Sequence, residues 1–227
     1  MLLTIDGFLT RDEVAHFRAA LRDAPWVDGR ASAGSLARHV KNNEQVDDQS
    51  TAGRTLANQL LRKLGVHPLF VSAAMPQQIQ PPRFNRYRDR QAYGIHVDGS
   101  IMPLAGTDRV MRSDLSATLF LTDPQDYDGG ELTIETDFGA QEVKLAAGDM
   151  VLYPSSSLHR VEPVTRGERI CAFFWVQSMI RDDQQRGLLF DLDQTIQSIA
   201  TTKAADDPDL LRLTSIYHNL VRRWADV

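Results

Sequence analysis

One cysteine, Cys171, is the whole thiol content of this chain of 227 residues, so no intrachain disulfide can form and a reducing compartment suits the protein. Neither a basic leader nor a long apolar run stands at the N-terminus, where Asp6 already interrupts Met1-Leu2-Leu3-Thr4-Ile5. No secretory signal or membrane anchor is therefore expected, and a cytoplasmic protein is. Positive charge is not in excess: 25 Lys and Arg against 30 Asp and Glu leave a formal charge of −5, which argues against a nucleic-acid surface. Extended Pro/Gly/Ser linkers, internal repeats and low-complexity tracts are all missing. With 42% hydrophobic residues, the chain suffices for one sizeable core, or a core with a small helical annex.

Periodicity divides what is there into three stretches. Thr10-Arg11-Asp12-Glu13 reads as a capping box ahead of Val14, Phe17 and Leu21, and Leu56, Leu60 and Leu64 give a second helix ending before Gly65. Both helices are expected to pack on one sheet, within an N-terminal support region over residues 1–77. Pro76 and Pro81-Pro82 then open a strand-rich middle, residues 78–178, with strands near 83–88, 93–98, 114–122, 130–136, 140–145, 150–154, 158–164 and 168–178. Gly129-Gly130, Gly139 and Gly148 mark turns between several of them, and this rhythm of short strands points to a sandwich or barrel. After Met179 the period becomes helical again. Leu189, Leu192, Ile196 and Ile199, then Leu210, Leu213, Tyr217, Leu220 and Trp224, predict about two helices over 179–227 that either cover a barrel face or form a homodimer contact.

The chemistry concentrates in His96-Val97-Asp98, His159 and Arg169. Two histidines and a carboxylate are the minimal protein ligand set for a mononuclear Fe(II) that keeps positions open for substrate. In a strand Tyr93–Asp98, residues two apart share a face, so His96 and Asp98 both reach one ion, while His159 must come from another strand. A lone His-x-Asp arises readily by chance; the partner residues give it weight. Arg169 begins Arg169-Ile170-Cys171-Ala172-Phe173-Phe174-Trp175-Val176, apolar on both alternating faces as in a strand covered on both sides. A guanidinium there needs an anion: either the far carboxylate of an iron-chelating dicarboxylate, held bidentately, or a structural Asp or Glu.

Phe84-Asn85-Arg86-Tyr87, Tyr93 to Asp98, Ser113 to Leu121, Asp128-Gly129-Gly130-Glu131-Leu132, Ala147-Gly148-Asp149, Tyr153-Pro154, Leu158-His159 and Arg169 follow one another in an order that resembles the PKHD-type hydroxylases. These are a prolyl-4-hydroxylase-like branch of the Fe(II)- and 2-oxoglutarate-dependent dioxygenases, and the likeness covers roughly residues 78–178. The resemblance implies a mainly β protein with flanking helices, built on a double-stranded β-helix (jelly-roll, cupin-like) core. It also implies His96, Asp98 and His159 as metal ligands and catalytic centre, with Arg169 anchoring 2-oxoglutarate and Tyr87 contacting it. Hydroxylation of an unactivated C–H bond would then consume O2 and 2-oxoglutarate and yield succinate and CO2. Ascorbate commonly re-reduces iron in such relatives. Prolyl-hydroxylase-like folds act on peptidyl proline, free amino acids and small metabolites, so the resemblance leaves a peptidyl or small-molecule substrate open, and the link of several bacterial relatives to iron acquisition makes a siderophore-like molecule one candidate. Two departures, Arg90 in place of a common glycine and Gly99-Ser100 in place of Asn-Ala, bear on substrate preference near the barrel mouth.

Other readings stay open. The same residues would serve a metal- or 2-oxoglutarate-responsive binding protein without turnover; a cupin-like enzyme with a non-iron metal would leave Arg169 without its anion. Arg83, Arg86, Arg88 and Arg90 form either a basic mouth or a solvated edge strand. Tyr93, three residues before His96, should point away from the ligand face and pack. Trp175 shares the face of Arg169, and Cys171 is expected to be a small core residue. Arg112 and Asp114 either bridge the rim or meet substrate. His16 is expected at the surface; His39, beside Lys41-Asn42-Asn43, is either a lone surface histidine or part of an access loop; His67 is expected in a turn before Pro68 and His218 beside the last apolar stripe, neither with ligand spacing.

Overall fold

Thr10 starts the first helix as its sequence predicts: its hydroxyl accepts the Glu13 N–H at 3.2 Å, and the Glu13 carboxylate accepts the Thr10 N–H at 2.7 Å. The computed structural model describes residues 1–104 and 107–227. The N-terminal region runs β1 (Leu3–Ile5), α1 (Arg11–Arg22), β2 (Trp26–Asp28), β3 (Lys41–Asn42), β4 (Glu44–Val46), α2 (Thr51–Leu64) and α3 (Pro68–Ala74). The middle contains β5 (Pro76–Ile79), β6 (Arg83–Tyr87), β7 (Ala92–His96), β8 (Ile101–Pro103), β9 (Val110–Arg112), β10 (Leu115–Phe120), β11 (Asp128–Gly129) and β12 (Leu132–Thr136). It continues through β13 (Gly139–Val143), β14 (Met150–Pro154), β15 (His159–Val161), β16 (Val164–Arg166) and β17 (Arg169–Ser178), and the chain closes with α4 (Asp183–Ala200) and α5 (Pro208–Trp224).

Two antiparallel sheets make the jelly-roll. The larger has the order β1-β14-β10-β17-β6-β4-β2, with β5 also on β17; the smaller has the order β13-β12-β15-β7-β3. Alternation along β17 sorts its side chains. Ile170, Ala172, Phe174 and Val176 join Phe17, Leu56, Leu60 and Phe70 under the N-terminal helices, while Cys171 joins Tyr87, Phe120, Val151 and Tyr153 between the sheets. Each of the large aliphatic and phenylalanine side chains among these, fully buried, contributes about 1.5–3 kcal/mol, so the helices are part of the same cooperative unit.

Three expectations are corrected. His67 is not in a turn: it caps α3, its Nδ1 accepting the Phe70 N–H at 3.3 Å, with Pro68 in the first helical turn, where its missing N–H costs nothing. β6 is not an edge strand, since β17 and β4 flank it, and its arginines are held by carboxylates. Arg86 pairs with Glu44 at 2.8 Å, Arg88 with Glu44 at 3.2 Å and Arg83 with Asp48 at 2.9 Å. The strand over 93–98 stops at His96, leaving Asp98 in the following loop. Part of the stripe on α4 and α5 packs within the chain, where Leu189, Tyr217, Leu220 and Trp224 meet Met75 and Ile180. Among the described residues no helix is long and apolar enough to cross a membrane.

Candidate active site

β7 and β15, far apart in sequence, are neighbours in the smaller sheet and set His96 directly opposite His159 as Cα partners. Their ring centroids lie 4.2 Å apart. Asp98 follows from the loop beyond β7, its carboxylate accepting the Ser116 hydroxyl at 2.6 Å; Ser116 in turn meets the Ser155 hydroxyl at 2.8 Å. One ligand atom from each of His96, Asp98 and His159 falls within 4.8 Å of the others. Thus the i, i+2 spacing delivers both residues, though with Ser116 rather than strand geometry fixing the second.

The imidazoles are prepared for a metal. Nδ1 of His96 lies 2.8 Å from the Gly94 carbonyl, and Nδ1 of His159 lies 3.0 Å from that of Ser157. A carbonyl only accepts, so each Nδ1 carries a proton and Nε2 is the nitrogen left to face a metal. Burial, with the neighbouring His159 adding to it, lowers the His96 pKa to about 4, so it is a neutral ligand at physiological pH. Two imidazole nitrogens and one carboxylate, with side-chain and main-chain partners behind them, fit a divalent iron.

Tyr93 departs from expectation. On the paired strand one residue separates Val161 from His159, whereas two separate Tyr93 from His96 on β7, so β7 carries one extra residue. This bulge rotates Tyr93 onto the ligand side, where its ring stacks on His96 at 3.6 Å and 17°. Alternation along β7 alone does not show the bulge, which exists only against β15.

His96, Asp98 and His159 line a cavity of about 960 Å³ that Tyr87, Arg169 and Trp175 also line. Arg169 is 1% exposed, opposite Tyr87 in the β17–β6 register, with its guanidinium carbon 5.5 Å from the Tyr87 ring centre and 5.0 Å from that of Phe120. Among the described residues no carboxylate lies within 4.0 Å of it, and its Nε has no hydrogen-bond partner. A structural ion pair is therefore not what Arg169 is for. Gly130, at φ +70°, closes over its stem, where a Cβ would come within 3.1 Å of Arg169 Cδ and 2.8 Å of Val164. Burial pushes the Tyr87 phenol well above its ordinary range, so it stays protonated and able to donate.

The remaining candidates separate. Arg112 grips Asp114 through two hydrogen bonds of 2.6 and 3.1 Å and also reaches the Ser178 carbonyl, a rim brace. Gly99 lines the cavity, but Arg90 does not; it is exposed at φ +65°, a left-handed conformation that explains a glycine there. Cys171 is a buried core thiol. His16 and His39 are exposed, and neither they nor His67 and His218 join the ligand cluster. Ser116 and Ser155 escaped the sequence reading. Their only signal is buried hydroxyls amid apolar strand residues.

Comparison with known proteins agrees with this geometry. The profile of the 2OG-Fe(II) oxygenase superfamily matches residues 82–177, and that of the PKHD-type hydroxylase C-terminal domain matches residues 183–226. A PKHD-type hydroxylase of Teredinibacter turnerae is 60% identical over 225 residues, covering 99% of each chain, and one of Acidovorax ebreus is 57% identical with the same coverage. In fold, a Pseudomonas putida prolyl-4-hydroxylase is similar with a TM-score of 0.53 and 21% identity, over 78% of this chain and 92% of that one. HygX from Streptomyces hygroscopicus, with nickel, 2-oxoglutarate and hygromycin B bound, gives 0.52 and 18% over 78% and 82%.

Proposed function

The chain belongs to the PKHD-type hydroxylases of the 2OG-Fe(II) oxygenase superfamily, and from that premise we propose that its Fe(2+) is held by His96, Asp98 and His159. Arg169 and Tyr87 then hold the distal carboxylate of 2-oxoglutarate. One observation carries this reading: a facial ligand set and a buried guanidinium without a carboxylate line the same cavity. When bound, the metal and 2-oxoglutarate supply oxidation of a C–H bond by O2, with 2-oxoglutarate converted to succinate and CO2.

The chain's own residues orient and insulate. The Gly94 and Ser157 carbonyls fix the imidazole tautomers, and Ser116 fixes one Asp98 oxygen. The Arg169 fork offers two parallel donors to a carboxylate, with Tyr87 adding a hydroxyl beside it. Phe120, Tyr153 and Cys171 around that end exclude water, which strengthens each charged hydrogen bond. Positioning of this kind is the protein's share of the rate when the cofactor carries the difficult chemistry.

The test is anaerobic Fe(2+) titration of His96→Ala, Asp98→Ala and His159→Ala, with succinate formation followed in air. Each variant is expected to lose tight iron binding and succinate production together. Wild-type iron affinity in His159→Ala would place the metal elsewhere.

A further inference from the structure

Three cations line the cavity: Arg83, Arg169 and Lys41. Arg83 has Asp48 at 2.9 Å. Arg169 is accounted for by the cosubstrate. Lys41 is not accounted for. It is 6% exposed, its Nζ donates to the Ser32 hydroxyl at 2.9 Å, and among the described residues no carboxylate lies within 4.0 Å of it. An ammonium has three donors, and burying it with one used is costly unless an anion arrives. Ring faces compensate in part: Nζ sits 5.0 Å from the Tyr93 centroid and 5.8 Å from that of Phe173.

2-Oxoglutarate cannot be that anion while it does its work. On the assignment above both of its carboxylates would be engaged, one at the metal site and one by Arg169. The anion for Lys41 must come from a second molecule. Backbone pairing places Lys41 opposite Tyr93 across β3 and β7, and Tyr93 stacks on His96. Hence a group bound at Lys41 sits one aromatic ring away from the metal ligands, where a molecule awaiting oxidation has to be. Gly94 permits this arrangement, because a Cβ there would come within 2.8 Å of Val40 and push the Lys41 segment off β7. Lys41 also lines a second hollow with Arg30, Arg38 and His39, where Arg30 is paired with Asp28 at 3.3 Å and Arg38 adds positive charge on that side. Gln80 and Asn85 line the inner wall, each with a buried side-chain oxygen lacking a partner among the described residues, and supply acceptors for substrate N–H or O–H groups.

We propose that Lys41 is the substrate-recognition residue of this enzyme, and that the primary substrate carries a carboxylate which pairs with the Lys41 ammonium beside Tyr93 and Phe173. This rests on the assignment of Arg169 to 2-oxoglutarate. The identity of the acid beyond that group is set by the rest of the cavity.

The experiment uses the full chain loaded with redox-inert Zn(2+) and saturating 2-oxoglutarate, probed by ligand-observed NMR with a panel of acid–amide pairs. Members of a pair, such as 3-phenylpropanoate and 3-phenylpropanamide, differ only in CO2− against CONH2. Wild type is expected to bind acids at least about tenfold tighter than their amides in one or more pairs, the range for a charge-assisted hydrogen bond. Lys41→Met should abolish the preference and Lys41→Arg retain it. If Lys41→Met does not fold, Lys41→Gln, which can still bond Ser32 without a charge, gives the same readout. Absence of acid preference in every pair, or a preference that survives in a folded neutral variant, overturns the proposal. So does a Lys41 variant that loses 2-oxoglutarate affinity in place of acid discrimination. Succinate formation by iron-loaded wild type is measured separately; its failure would sink the oxygenase assignment whichever way the acid–amide comparison falls.

Discussion

Tyr93 lies flat on His96, their ring centroids 3.6 Å apart and their planes inclined by 17°, although a regular strand would place the two on opposite faces. The extra residue in β7 makes the contact and holds the imidazole plane from one side while the Gly94 carbonyl holds its Nδ1. Stacking of this kind is worth about 0.5–1.5 kcal/mol. Tyr93→Ala is therefore expected to weaken iron binding by roughly two- to tenfold, and Tyr93→Phe to leave it near wild type. Anaerobic iron titration decides, and equal affinity in the alanine variant would reduce Tyr93 to a wall of the cavity.

Arg169 separates cosubstrate from metal. Arg169→Lys keeps the charge but loses the fork, so 2-oxoglutarate affinity should fall by about 1–3 kcal/mol while iron affinity barely changes. Arg169→Met should bind 2-oxoglutarate less well still, yet fold, because it leaves no unpaired buried charge. Titration of the iron–2-oxoglutarate charge-transfer band without O2 measures all three proteins. Identical 2-oxoglutarate affinities would remove Arg169 from the site.

Lys41 also makes a prediction about stability alone. Burial, helped by the Arg83 charge and opposed by Asp98, Asp28 and Asp48, brings its pKa down from 10.5 to about 8. Between roughly pH 8 and 10.5 the unfolded chain then holds a proton that the folded chain has released, so Lys41 makes stability rise with pH across that window. Below it both states are protonated and the cost of the buried ammonium is present in full. Lys41→Met should be more stable than wild type by about 1–3 kcal/mol at pH 7, and the difference should shrink towards pH 10.5. Denaturant unfolding of both proteins at several pH values tests this; a difference that does not vary with pH would mean Lys41 ionises as it does in water.

Residues 180–227 cover Met75 through Ile180, Leu189 and Trp224. A chain ending at Met179 is expected to lose several kcal/mol, since large-to-small changes at single buried sites already cost about 2–5. Thermal unfolding of the truncated chain is the measurement. Light scattering in parallel reports whether the full chain associates through these helices, and a mass of one protomer would leave α4 and α5 with their packing role alone.

Local patterns in the sequence determined much of this protein. The capping box at Thr10, the leucines of α2, the alternation of β17 and the stripes of α4 and α5 each depend on neighbours a few residues away, and each stands where its periodicity puts it. The ligand types were legible as well, because the chemistry of two histidines and one carboxylate does not depend on the path between them. Tertiary structure decided what depends on relations across strands. The bulge that turns Tyr93 inward exists only against β15, and β6 is interior only because β4 adds to it. Lys41 was an ordinary residue in a polar run until the β3–β7 pairing laid it opposite Tyr93 and buried it with no carboxylate within 4.0 Å among the described residues. Burial and partnership are properties of segments distant in sequence, so the charge that most constrains the substrate was the one that local pattern could not single out.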